Sequence, residues 1–233
     1  MTQQAHQLAV RISRTVKLDY WLHLPDGYGE DASVSWPLII FLHGMGERGS
    51  DLTLVKKHGI PKVAEQGPDL PFVAVSPQCP LDSVWTDQID ALDALYRNIA
   101  RHYAIDRDRV YLTGLSMGGY GTWHWATLRP RRFAAIVPIC GGAMAPYGYP
   151  ERVAVLNDVP VWAFHGARDQ VVPLAESQKL VDVLERAGGN VRLTVYPEAG
   201  HDAWTETYAN PELYAWLLAQ SRAARSGAGR SRG

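Results

Sequence analysis

Three residues in this chain have the types that covalent acyl transfer needs, and each sits in a glycine-marked turn. Ser116 lies in Gly114-Leu115-Ser116-Met117-Gly118-Gly119, between an apolar run (110–113) and a second run of small and apolar residues (120–126). A serine between glycines at a strand-to-helix corner is a nucleophile elbow. The turn is so tight that only residues with almost no side chain fit beside the serine, and glycine also tolerates positive φ. Asp169 follows an apolar run in Phe164-His165-Gly166-Ala167-Arg168-Asp169, and His201 sits in Ala199-Gly200-His201-Asp202. A serine hydroxyl is a poor nucleophile at neutral pH and needs a base beside it. A neutral histidine at 201 can take the proton and return it to a leaving group. Asp169 would hold the imidazole in the right tautomer. Asp202 is the weaker acid candidate, because adjacent residues rarely point at one another.

Acyl transfer also needs donors for a developing oxyanion. The Met117 amide, at the helix start, is one expected donor. The Met45 amide is the other, in His43-Gly44-Met45-Gly46-Glu47-Arg48-Gly49 after the apolar run 37–42. Removing one such donor typically costs on the order of 10²–10³ in turnover. His43 and His165 each stand between a strand end and a glycine and are expected to bond loop backbone. For Glu47 and Arg48 an ion pair bracing the loop is the favoured reading, with substrate contact as the alternative. Trp85 and Trp204 are candidates either for core packing or for walls of a substrate pocket, since such walls are commonly aromatic.

The elements that must position these groups alternate in type. Strands are expected at 10–12, 16–24, 37–42, 72–76, 110–113, 134–139, 161–164 and 191–196, eight in all. Several are continuous apolar runs, as in strands buried on both faces. Between them, Ile89, Leu92, Leu95, Ile99 and Tyr103 repeat at helical spacing. Residues 174–187 form a second helical stretch, closed by Gly188-Gly189. Residues 211–218 form a third, with Asn210 as N-cap and Pro211 at the first helical position. Such alternation implies a mainly parallel sheet covered on both faces, with ligands bound at the carboxyl edge. Ser116, Asp169 and His201 then follow the fifth, seventh and eighth strands. Residues 141–158 read as a loop over that edge, with a helical turn at most.

Composition bounds the rest. Net charge is −1, which gives no reason to expect nucleic acid or an anionic membrane as partner. No apolar run is long enough to span a bilayer. Residues 1–14 lack the layout of a signal peptide, so the sequence as written reads as cytoplasmic. A chain already stripped of its leader would read the same and would be secreted or periplasmic. Cys79 and Cys140 cannot make a disulfide framework and read as small semi-buried thiols. No Cys or His pair has zinc-ligand spacing, so neither metal nor cofactor is expected. Residues 1–220 read as one domain, and the Ser/Arg/Gly/Ala-rich 221–233 as a disordered tail. Monomer and homodimer both remain open.

Taken together, Phe41-Leu42-His43-Gly44-Met45-Gly46-Glu47-Arg48-Gly49, Ser76-Pro77-Gln78-Cys79-Pro80, the Ser116 elbow and the Asp169 and His201 turns resemble the α/β-hydrolase esterases. More narrowly, the chain is similar to compact carboxylesterases related to prolyl oligopeptidases, dienelactone hydrolases, feruloyl esterases and polyhydroxybutyrate depolymerases. The chain order Ser, Asp, His agrees with that fold. The resemblance spans roughly residues 10–220. It implies a Ser116–Asp169–His201 triad, a Met45/Met117 oxyanion hole and a small-molecule ester as substrate. Neither a propeller domain nor a large lid is present in the sequence, which implies an open site for short-chain or aryl esters. The same triad would serve a small serine peptidase or amidase. A ligand-binding receptor that has kept the fold is the alternative of another class.

Overall fold

The computed structural model describes residues 3–67, 70–144 and 147–223. Seven strands form one sheet: β1 (Tyr20–His23), β2 (Trp36–Leu42), β3 (Val73–Pro77), β4 (Ile105–Leu115), β5 (Ala135–Ile139), β6 (Val161–Gly166) and β7 (Val191–Tyr196). Their order across the sheet is β1-β3-β2-β4-β5-β6-β7, with β1 antiparallel to β3 and every other pair parallel. Among the described residues, six α-helices cover it: α1 (Gly59–Gln66), α2 (Ile89–His102), α3 (Met117–Leu128), α4 (Ala175–Arg186), α5 (Trp204–Ala209) and α6 (Pro211–Leu218).

The continuous apolar runs are explained by the period of two along a strand. Leu38, Ile40 and Leu42 of β2 face one layer, with Val110 and Leu112 of β4 and Val161 and Ala163 of β6. Ile39 and Phe41 face the other, with Tyr111, Val137, Trp162 and Phe164. Leu92 and Ile99 of α2, Trp123 of α3, and Leu180 and Leu184 of α4 close the first layer. Ile60 of α1, Tyr208 of α5, and Leu213 and Leu217 of α6 close the second. Because both faces are covered, a strand must be apolar at every position, and the parallel arrangement brings the ends of β2 through β7 to one edge.

The sheet departs from the expected one at its start. Eight strands were expected and seven are present among the described residues. Residues 10–12 form no strand, and the expected 16–24 shrinks to Tyr20–His23. Leu8, Val10 and Ile12 are 88%, 68% and 84% exposed, so their alternation has no neighbouring strand to bury it. A period-two pattern shows that a segment can pair, but a partner strand must also be in reach. Ser116, Asp169 and His201 therefore follow β4, β6 and β7. In the expected loop 141–158, Glu151–Leu156 forms a 3₁₀ turn, while residues 145–146 lie outside the described set. Residues 224–233 of the expected disordered tail also lie outside it. Before them Arg222 is placed, pairing with Asp108 at 3.0 Å. Among the described residues no helix is long and apolar enough to cross a membrane.

Candidate active site

The elbow forms where β4 meets α3. Ser116 has φ 53° and ψ −117°, a conformation that costs a non-glycine residue free energy. Its amide donates to Ile139 O at 2.9 Å, which ties the corner to the end of β5. Glycine at 118 is required by close approach. A Cβ there would lie 1.9 Å from Leu42 O and 2.8 Å from His43 O, so the start of α3 rests directly on the end of β2.

Asp169 and His201 come from the β6 and β7 ends, and those two loops are joined by backbone hydrogen bonds. Ala167 N donates to Tyr196 O at 2.9 Å and Arg168 N to Ala199 O at 3.0 Å. Glycine at 166 permits this, since a Cβ there would sit 2.0 Å from Gly200 O. The three side chains then meet. His201 Nδ1 is 2.7 Å from Asp169 Oδ2, and His201 Nε2 is 2.9 Å from Ser116 Oγ. An ionised carboxylate can only accept, so Nδ1 carries the hydrogen and Nε2 is left to accept from the serine. Asp169 Oδ1 accepts from the amides of Val171 and Val172, both at 2.9 Å. Burial pushes the Asp169 carboxyl upward, but the hydrogen bonds from His201, Val172 and Val171 together outweigh it and hold the group below the ordinary carboxylate value.

Met45 and Met117 each occupy the first position of a helical segment, the 3₁₀ turn Met45–Glu47 and α3. Amides at that position have no acceptor within their own helix. The Met45 loop is held from several sides. His43 Nε2 accepts from Cys79 N at 2.9 Å, so its Nδ1 donates to Gly44 O at 2.6 Å. Burial drives the His43 pKa down to about 4, which keeps the ring neutral in this role. Gln78 donates to Glu47 O at 2.8 Å and to Asp51 O at 2.7 Å. Sequence reasoning did not single out Gln78; its position just past β3 in Ser76-Pro77-Gln78-Cys79 was the available signal.

Trp85 and Glu47, for each of which substrate contact was one of two readings, are both buried. Trp85 is fully buried, its indole N–H donates to His43 O at 2.9 Å, and its ring packs edge-on against His43. It braces the Met45 loop and lines no open surface, because a buried indole N–H must find an acceptor and the strand-end carbonyl supplies it. Glu47 is also buried, with its carboxylate 4.0 Å from His43 Nδ1. The expected Glu47–Arg48 pair does not form within 4 Å. Arg48 instead donates to Met45 O and Ser83 O, both at 3.1 Å. Trp204 is placed differently, half-buried and edge-on to the His201 ring at 5.3 Å and 90°. Asp202 accepts from the Thr205 amide and hydroxyl at 2.9 Å each, in the first turn of α5, rather than meeting His201.

Cys79 and Cys140 are free and buried. Cys140, at φ 39°, brings its sulfur within 4.8 Å of ligand atoms of Asp169 and His201. That grouping was invisible to sequence spacing because its members come from three strand ends. His201 Nδ1 and Asp169 Oδ2 are engaged with each other, and burial pushes the Cys140 thiol pKa up. Met45, Met144 and Val171 present side chains 54%, 46% and 69% exposed on the loops that follow β2, β5 and β6.

Known proteins resemble the chain in family and fold. The model of a family described as Phospholipase/Carboxylesterase matches residues 73–210, more than half of the chain. A putative carboxymethylenebutenolidase of Methylorubrum extorquens is 33% identical over 101 residues, 41% of this chain and 34% of that protein. A probable feruloyl esterase C of Aspergillus niger is 24% identical over 199 residues, 81% of this chain and 69% of that protein. Among solved structures, a thermostable esterase superposes with a TM-score of 0.76 at 35% identity, covering 88% of this chain and 60% of that one. The chain thus spans about a third of the M. extorquens relative and 60% of the thermostable esterase.

Proposed function

The chain belongs to the phospholipase/carboxylesterase family of α/β-hydrolases, and from that premise we propose that it hydrolyses carboxylic esters through an acyl-enzyme on Ser116. The observation that carries the proposal is the continuous relay from Ser116 Oγ through His201 to Asp169, at 2.9 and 2.7 Å. His201 Nε2 takes the Ser116 proton as Oγ attacks the ester carbonyl. The resulting oxyanion is held by the Met45 and Met117 amides, and Asp169 stabilises the imidazolium. His201 then gives its proton to the departing alcohol, leaving an ester on Ser116. Water repeats the sequence, delivering its proton to His201, and collapse releases the acid and restores Ser116.

Short-chain or aryl esters are the proposed substrates. The exposed Met45, Met144 and Val171 side chains on the strand-end loops and the edge-on Trp204 support an apolar acyl or aryl group. Two relatives bear names that specify feruloyl esters and a lactone. The test is hydrolysis of p-nitrophenyl acetate by the chain and by Ser116→Ala, with a matched p-nitroanilide as second substrate. By analogy with serine hydrolases, the substitution should cost on the order of 10⁶ in turnover. An unchanged rate would sink the proposal, and a faster anilide than ester would reassign it to amide hydrolysis.

A further inference from the structure

His165 takes no part in the steps above, yet it is fully buried against the residue that orients His201. Both its side chain and that of Asp169 are wholly inaccessible to solvent. Its Nε2 is 2.8 Å from Val172 O. A carbonyl can only accept, so Nε2 carries a hydrogen. That same nitrogen stands 3.3 Å from Asp169 Oδ2, the oxygen that binds His201 Nδ1. Val172 is thereby held at both ends, its carbonyl by His165 and its amide by Asp169 Oδ1 at 2.9 Å. On the other side of the ring, Nδ1 is 2.8 Å from Ser177 Oγ, and the same hydroxyl lies 2.9 Å from Gly141 O in the loop after β5.

We infer that His165 is a positioning residue for Asp169. Through Val172 it fixes the turn whose amides hold Oδ1, and directly its N–H edge faces Oδ2. A carboxylate rotates about one bond, so fixing both oxygens fixes the direction in which it presents a lone pair to His201. Without His165 the Val172 carbonyl is buried and unpaired, the turn shifts to seek a new donor, and the Asp169–His201 bond lengthens. The inference rests on the proposed role of the Ser116 relay, because only then does that bond reach a rate.

Two amide replacements separate positioning from packing. In His165→Gln the side-chain nitrogen reaches about where Nε2 stands and can still donate to Val172 O. In His165→Asn it reaches only the Nδ1 position, toward Ser177. The experiment measures kcat and KM for p-nitrophenyl acetate, the melting temperature, and the downfield proton resonance of the His201–Asp169 bond. His165→Asn should lower kcat about 10–100-fold, by analogy with loss of a hydrogen-bonded partner behind a metal ligand. KM should stay unchanged and the resonance should move upfield, while His165→Gln restores both. Wild-type kcat and resonance in His165→Asn, or equal damage in the two variants, would overturn the inference. If His165→Asn does not fold, Ser177→Ala serves. It frees one side of the ring and should shift the same resonance, and an unshifted resonance there overturns the inference as well. Ser116→Ala with full activity would defeat the ester-hydrolase proposal instead, while the resonance would still report on His165.

Discussion

Gly118→Ala tests the claim that the elbow works by backbone contact. The added Cβ would lie 1.9 Å from Leu42 O, 2.5 Å from Leu42 C and 2.8 Å from His43 O. Real Cβ atoms essentially never come within 3.0 Å of a heavy atom, so the start of α3 must retreat from β2 by about 1 Å. The obstructing atoms are backbone, so no rotamer change relieves the clash. Ser116 and the Met117 amide would retreat with α3, whereas the Met45 amide stays with the β2 loop, held by His43, Gln78 and Arg48. An oxyanion donor acts at about 2.7–3.1 Å, and a further 1 Å takes one amide out of hydrogen-bond range. The expected loss in kcat on p-nitrophenyl acetate is therefore about 10²–10³, with a stability cost of about 1–3 kcal/mol from overpacking. Gly46→Ala is the control. It adds the same methyl one residue from Met45, where no heavy atom lies within 4 Å, and should leave stability within about 0.5 kcal/mol. Wild-type kcat and melting temperature in Gly118→Ala would refute the reasoning.

Asp93 is buried and accepts from Trp125 Nε1 while pairing with Arg129 and Arg132. Asp93→Ala should cost about 3 kcal/mol in urea unfolding, because two arginines and an indole lose their acceptor; a change below about 0.5 kcal/mol would contradict that. Burial pushes the Asp93 carboxyl up, but Arg132, Trp125 and Arg129 hold it below the ordinary value, as His201 and the turn amides do for Asp169. Such groups stabilise the fold fully above the unfolded carboxylate value, about pH 4, and lose that contribution as pH falls through their lower folded values. Unfolding free energy should therefore drop steeply below pH 4, and a flat profile from pH 5 to 2 would count against it. The Cys79 thiol is pushed up to about 12 and that of Cys140 is also raised, both by burial, so iodoacetamide at pH 7.5 should label neither until the chain unfolds. Trp204→Ala should raise KM for aryl esters about 3–10-fold, the worth of one aromatic contact, and a KM that rises equally for acetate and aryl acyl groups would remove Trp204 from the pocket wall.

Much of the site was legible because its groups stand at turns with their own local signatures. Ser116 needs glycines around it, Asp169 and His201 each follow an apolar run and a glycine, and the strands between them are apolar on both faces. What was misread depended on partners distant in sequence. Residues 10–12 alternate like a strand but meet no neighbour. Whether Trp85 is core or pocket wall depends on an N–H that ends on His43 O, 42 residues away. Arg48 was paired on paper with its neighbour Glu47, but in the fold it reaches the Ser83 carbonyl, 35 residues away.

Periodicity and turn chemistry are local, so the alternation of strands and helices and the residue types of the relay can be read along the chain. Turn order already points to His201 as the base, but the partners that face His43 and His165 appear only once the strands are set side by side. His43, His165 and His201 all stand at strand ends beside glycines. They are told apart by what faces them: a buried amide and carbonyl for His43, Val172 and Ser177 for His165, and Asp169 with Ser116 for His201. A side chain's role follows from the donors and acceptors around it, and those arrive from strands that only the folded sheet sets side by side.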